Sequence, residues 1–97
     1  AKLMIESALK QKPDDAYFID SLAWYYFKTK DFEQANSLLS YAAHLEPTDA
    51  IINEHYGDTL WKVGRYIEAR YQWNRALDLK PPNDLIKKIK VKLLKGY

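Results

Sequence analysis

The 97 residues contain no cysteine. That excludes disulfides, thiolate metal sites and thiol nucleophiles, and it leaves the redox compartment unreadable. Three Gly and four Pro are few for a chain built from short strands and tight turns. No apolar run approaches the roughly 20 residues that a membrane span needs. Charge of one sign is scarce as well, because 15 Lys plus Arg stand against 13 Asp plus Glu, a net of +2. What is present is a globular composition, 47% apolar and 29% charged, too apolar for disorder. This length allows one small domain, which buries only about 60–65% of its unfolded surface. Aromatics are plentiful, with eight Tyr, three Trp and three Phe.

The chain begins at Ala1 inside a helical pattern and carries no signal peptide, so it reads as a piece of a longer protein or a processed product. Its compartment is not legible.

A repeat organises the chain. Pro13, Pro47 and Pro81 are spaced 34 residues apart. Residues 16–49 laid over 50–83 match at six positions: Ala16/Ala50, Lys28/Lys62, Ala35/Ala69, Ala42/Ala76, Leu45/Leu79 and Pro47/Pro81. Each period reads as two helices. Ile19, Leu22, Ala23 and Tyr26 mark one apolar face over 16–29, and Phe32, Ala35, Leu39, Ala42 and Ala43 mark another over 32–45. Asp14, Asp15 and Asp49 offer side-chain caps at helix starts. Pro47 and Pro81 stop the preceding helices, since proline lacks the N–H and disfavours helix in its predecessor. Gly64 supplies a turn that needs positive φ. Lys30 holds the equivalent place in the first period, so that turn is either strained or differently shaped. Ala23, Gly57, Ala35, Ala42, Ala69 and Ala76 sit where helices must approach closely.

These residues resemble the tetratricopeptide repeat (TPR), a 34-residue helix–turn–helix family. Tyr56-Gly57, Leu60, Tyr66, Ala69, Trp73, Ala76 and Pro81 follow its pattern. So do Ile19, Leu22-Ala23, Tyr26, Phe32, Ala35, Leu39, Ala42 and Pro47. Asn53 departs from it, because the family usually has Trp or Leu there. The stretch from Ile52 to Leu77 also resembles TPR segments of bacterial proteins. The resemblance implies an all-α, right-handed superhelical solenoid of about six helices. Its parts are a second helix alone (1–15), full repeats at 16–49 and 50–83, and a C-terminal capping helix (84–97). In that last helix Leu85, Ile86, Ile89, Val91, Leu93 and Leu94 give an apolar face, and Lys87 and Lys90 give a polar outer face, as a terminal repeat needs.

No catalytic constellation appears. His44 and His55 lack the second histidine of a zinc-protease motif, and Gly57, Gly64 and Gly96 are too isolated for a phosphate loop. Serines 7, 21, 37 and 40 have no positioned base, and Asp14-Asp15 reads as a cap. The expectation is therefore no enzyme, no metal and no cofactor. Residues 80–97 hold six Lys and one Asp, a balance of +5. Nucleic-acid or anionic-membrane contact is the weaker explanation for them, because no Arg and no interleaved aromatic accompany the lysines and a solvated cap needs charge.

The TPR resemblance implies a protein-interaction module or scaffold whose concave groove, lined by the first helix of each pair, takes a peptide or helix of a partner. The matching positions of the first repeat are Tyr17, Asp20, Trp24, Phe27 and Lys28. The second repeat contributes Glu54, His55, Asp58, Trp61 and Lys62, and the cap helix adds Lys88 and Lys92. Asp20, Trp24, Asp58 and Trp61 are the strongest contact candidates, although Phe27 and Trp61 also suit packing between repeats. The Asn, Lys and Arg clamp of chaperone-tail-binding members is absent, since Asp20, Trp24, His55, Leu85 and Ile89 stand at its places. An acidic stripe of Asp20, Glu54 and Asp58 would favour a basic or aromatic-rich partner over a free carboxylate. The alternative is a structural spacer or a self-associating element of a longer scaffold, joined through an N-terminal edge exposing Leu3 and Met4.

Overall fold

The computed structural model describes residues 14–97. The partial repeat expected over 1–15 lies mostly outside them, and the edge at Leu3 and Met4 expected to self-associate lies wholly outside. Among the described residues the chain forms five helices and no strand: α1 (Ala16–Lys28), α2 (Phe32–Leu45), α3 (Ala50–Lys62), α4 (Tyr66–Asp78) and α5 (Asn83–Lys95).

Local sequence sets the helix starts. Oδ1 of Asp15 accepts from the Tyr17 and Phe18 amides at 3.1 and 3.2 Å, capping α1. Asp31 caps α2 through Gln34 N at 3.3 Å, and Asp49 caps α3 through Ile52 N at 3.0 Å. These bonds satisfy amides that a helix cannot serve from within. Asp14, expected as a cap, instead accepts from the Tyr41 hydroxyl at 2.9 Å, linking the start of α1 to α2.

The turns inside the two helix pairs are the same motif. Lys30 N donates to Phe27 O and Asp31 N to Tyr26 O; Gly64 N donates to Trp61 O and Arg65 N to Leu60 O. Both are Schellman closures with a left-handed residue after the C-cap. Gly64 takes φ 87° without penalty, whereas Lys30 takes φ 65° with a Cβ in the way. Of the two options open at Lys30, the structure adopts the strained one. Lys80, at φ 54°, ends α4 with only half of this motif, because Pro81 has no amide to donate.

The helices stack antiparallel in sequence order, α1 on α2, α3 on α4, with α2 on α3 and α4 on α5 joining the pairs. Ala16, Ile19, Ala23, Leu39, Ala42 and Ile52 form one core where α1, α2 and α3 meet. Leu22, Tyr26 and Ala35 close the first pair. Leu60, Ala69, Trp73, Ala76 and Ile89 unite α3, α4 and α5. Ala23, Ala35, Ala42, Ala69 and Ala76 are fully buried, as the close-approach argument requires. At Gly57 an added Cβ would strike the Trp73 ring and sit 3.1 Å from the Ala69 carbonyl. Asn53, the departure from the repeat pattern, is buried and donates to the carbonyls of Pro47 (3.1 Å) and Asp49 (2.8 Å). It ties the α2–α3 loop down with hydrogen bonds instead of apolar contact.

The face expected of α5 divides. Ile89 is buried and Leu85, Ile86 and Leu93 are half-buried, but Val91 and Leu94 are exposed beside Lys87 and Lys90. The outer face of the last helix is thus mixed, not wholly polar. Periodicity could not separate the two sets, because apolar residues fall on more of the helix circumference than α4 covers.

Candidate protein-binding groove

One side of the stack is formed by α1, α3 and α5. Residues 17, 20, 24 and 27/28 recur at helical spacing along α1, 54/55, 58 and 61/62 along α3, and 88 and 92 along α5. These helices carry all of the expected groove residues.

Asp20, Glu54 and Asp58 do not make a free acidic stripe. Asp20 Oδ1 accepts from His55 Nδ1 at 2.8 Å, which bridges α1 and α3. Lys92 of α5 reaches both other carboxylates: Nζ lies 3.0 Å from Glu54 Oε2, and 2.9 and 3.0 Å from the two oxygens of Asp58. Asp58 also accepts from Trp73 Nε1 at 3.0 Å and is only 1% exposed. The physical reason is desolvation. A carboxylate this deep must be matched by a cation and hydrogen bonds, and Lys92 is the cation that α5 brings. Asp58 and Lys92 are therefore a docking bond between α3 and α5, and Asp58 offers a ligand almost no surface.

The ionisation of these groups follows from the same packing. Burial pushes the Asp58 carboxyl up to about 6; the Lys92 charge and hydrogen bond pull the other way, while Glu54 adds to the rise. Burial lowers the His55 pKa, but the hydrogen bond and charge of Asp20, with the charges of Asp58 and Glu54, outweigh it and leave the pKa raised.

The aromatics form a ladder. Trp24 stacks on Phe27 with centroids 4.5 Å apart and planes 6° apart, and on the His55 ring at 4.7 Å. Phe27 meets Phe32 edge-on at 5.2 Å. Trp24 and Phe27 stay half-buried and keep part of their surface on the groove side. Trp61 is used otherwise. It packs on Tyr66 (4.4 Å) and Trp73 (5.6 Å), lies under the Arg70 guanidinium (5.5 Å), and is covered by Gly96, where a Cβ would collide with its ring. Trp61 packs against the α3–α4 core and the turn at Gly96.

Tyr17 is exposed, and a hydrogen bond to Asp49, followed by that carboxylate's charge, raises its phenol pKa. Lys28 and Lys62 are exposed at the far end, where Lys62 Nζ lies 5.8 Å from the Phe32 ring centroid. Lys88 lines a cleft of about 260 Å³ between α3 and the start of α5, with Ile51, Glu54, His55, Pro82, Asp84 and Leu85. Sequence reasoning missed Pro82 and Asp84 of this cleft, which lie just before and inside α5. It also missed Tyr97, which no repeat position marks. Tyr97 meets Phe27 edge-on at 5.4 Å.

No group of three metal-capable side chains exists among the described residues, and no helix there is long and apolar enough to cross a membrane.

Among solved structures, the N-terminal domain of stress-induced protein-1 (STI-1) from C. elegans superposes with a TM-score of 0.76. The match covers 96% of this chain and 78% of that one, at 22% identity. The fold is TPR-like. No protein-family model matches the sequence, and no curated protein does. At this identity the likeness establishes the TPR-like helical solenoid and nothing of the partner.

Proposed function

We propose that this TPR-like domain is a protein-interaction module that holds a peptide or helix of a partner protein on the α1–α3–α5 face, and that it acts by binding and not by catalysis. One observation carries this reading. The half-buried Trp24–Phe27–His55 ladder runs directly into the cleft lined by Ile51, His55, Leu85 and Lys88. Rigid aromatic surface beside a recess is the chemistry of interface hot spots. The partner chemistry it favours is apolar or aromatic, not strongly basic, because Asp20, Glu54 and Asp58 are already paired within the domain. Tyr17, Lys28, Lys62 and Lys88 form a polar rim.

The test is a paired pull-down from the source cell's lysate. One bait is the native chain, and the other carries Trp24→Ala, Ile51→Ala and Lys88→Ala, with helicity checked by circular dichroism. A partner held by the native bait and lost from the variant is the expected result. Equal retention by both baits would remove the groove reading.

A second reading, self-association as a scaffold element, is favoured by α5, where Val91 and Leu94 are 51% and 82% exposed. It requires mass that rises with concentration in sedimentation and that Leu94→Glu abolishes.

A further inference from the structure

Gly96 and Tyr97, which follow α5, fold back onto the groove face. Gly96 leaves α5 at φ 81° and lies against the Trp61 ring, which sets Tyr97 down between the ends of α1, α3 and α5. The Tyr97 ring meets Phe27 of α1 edge-on at 5.4 Å. Two ammonium groups flank the same ring: Lys62 Nζ of α3 is 4.9 Å from its centroid, and Lys92 Nζ of α5 is 5.1 Å away. Phe27 in turn leans on Trp24, so the ring caps the end of the aromatic ladder. Tyr97 is still 44% exposed, which means that it rests in this seat without being locked into the core.

Three features make the seat selective for a ring. A π-face attracts cations, and the edge of one ring favours the face of another, neither of which an aliphatic side chain can supply. Lys92 is fixed by Glu54 and Asp58, so one cation is preplaced. Lys62 is exposed and can adjust. The phenol needs no dedicated partner, so the seat accepts any aromatic ring of similar size.

We propose, building on the groove reading above, that Phe27, Lys62 and Lys92 form a seat for an aromatic side chain of the partner, and that Tyr97 occupies it as an intramolecular stand-in which the partner displaces. Tyr97 then sets a threshold for binding. A Tyr97 ring seated about nine tenths of the time weakens any competitor about tenfold.

The probe is a synthetic capped peptide of sequence Leu-Lys-Gly-Tyr, matching residues 94–97, titrated against the full chain by NMR with the Phe27 and Lys62 signals followed. The Tyr97→Ala chain is expected to bind it about tenfold more tightly than the native chain. Tyr97→Phe should behave as native, since the ring alone fills the seat. Adding Lys62→Ala to Tyr97→Ala should lose binding, and a probe ending in Ala should not bind. Equal affinity of native and Tyr97→Ala chains, equal binding of the Ala probe, or no saturable binding by Tyr97→Ala at millimolar probe would each overturn the proposal. Tyr97 contributes nothing to the buried cores, so loss of fold is not expected, and circular dichroism checks it. A partner captured through Trp24 but indifferent to Tyr97→Ala would refute the seat alone. Peptide binding with no groove-dependent partner would refute the function reading alone.

Discussion

Lys30, Gly64 and Lys80 show how single residues set the chain's turns. All three take left-handed backbone, and only one is glycine. Nothing lies within 4 Å of a Cβ built on Gly64, so its requirement is one of φ and not of space. Lys30→Gly should therefore stabilise the domain by up to about 1 kcal/mol, and Gly64→Ala should destabilise it by about 1 kcal/mol. Chemical denaturation of the two variants checks both signs. Gly57 is the opposite case, with a helical position and no room. Gly57→Ala should cost about 1–3 kcal/mol, because the Trp73 ring must move and its bond to Asp58 goes with it. The need for small residues at 23, 35, 42, 57, 69 and 76 was legible from their spacing, since only close helix contact explains alanine and glycine recurring there. The role of Asn53 was not, because its partners are carbonyls of a loop whose path the sequence does not draw.

Among the helices, α5 depends most on electrostatics. Its apolar contribution centres on Ile89, and Lys92 supplies the polar link to α3. Lys92→Met would leave Glu54 and Asp58 buried side by side without a cation, at a cost of roughly 3–5 kcal/mol. Amide exchange should show α5 losing protection before α1 or α2. The same cluster predicts how stability responds to pH. Folding raises the Asp58 pKa from 3.8 to about 6, so its contribution is present below about 4 and is lost as pH climbs to about 6. The His55 pKa is raised above 6.5, so its contribution is full below that value and is lost as pH rises through the folded pKa. Both run the same way, and the melting temperature should be higher near pH 5 than near pH 8. Asp58→Asn should flatten the lower part of this dependence and His55→Gln the upper part. A melting temperature that rises over that range would contradict the dominance of burial at Asp58 and the Asp20–His55 pairing. Helical spacing placed Asp20, Glu54, Asp58 and Lys92 on one side of the stack. It could not tell that they face one another across helices, so carboxylates that pattern alone left open to a ligand turn out to be neutralised from within.

For the whole molecule, the TPR-like stack separates the α1–α3–α5 face from an outer one. The α1–α3–α5 face gathers the Trp24–Phe27–His55 ladder and the cleft, and Tyr97 packs edge-on against Phe27. On the outer side α4 exposes Tyr66, Ile67 and Tyr71. The architecture was legible because a 34-residue period with small residues at fixed offsets admits few packings. The details of the face were legible only in part, since Trp24 and Phe27 stack on each other while Trp61, equally half-buried, packs on Trp73 and Tyr66, and Asp58 is buried against Trp73. The central claim is that partners bind through this face, and site-specific photo-crosslinking tests it most directly. A photoreactive amino acid is placed at position 24 in one chain and at position 67 in another, each is exposed to the source lysate and irradiated, and the adducts are compared by mass spectrometry. Discrete adducts at position 24, displaced by excess native chain and missing at position 67, are the predicted result. Adducts at position 67 with none at position 24 would contradict it.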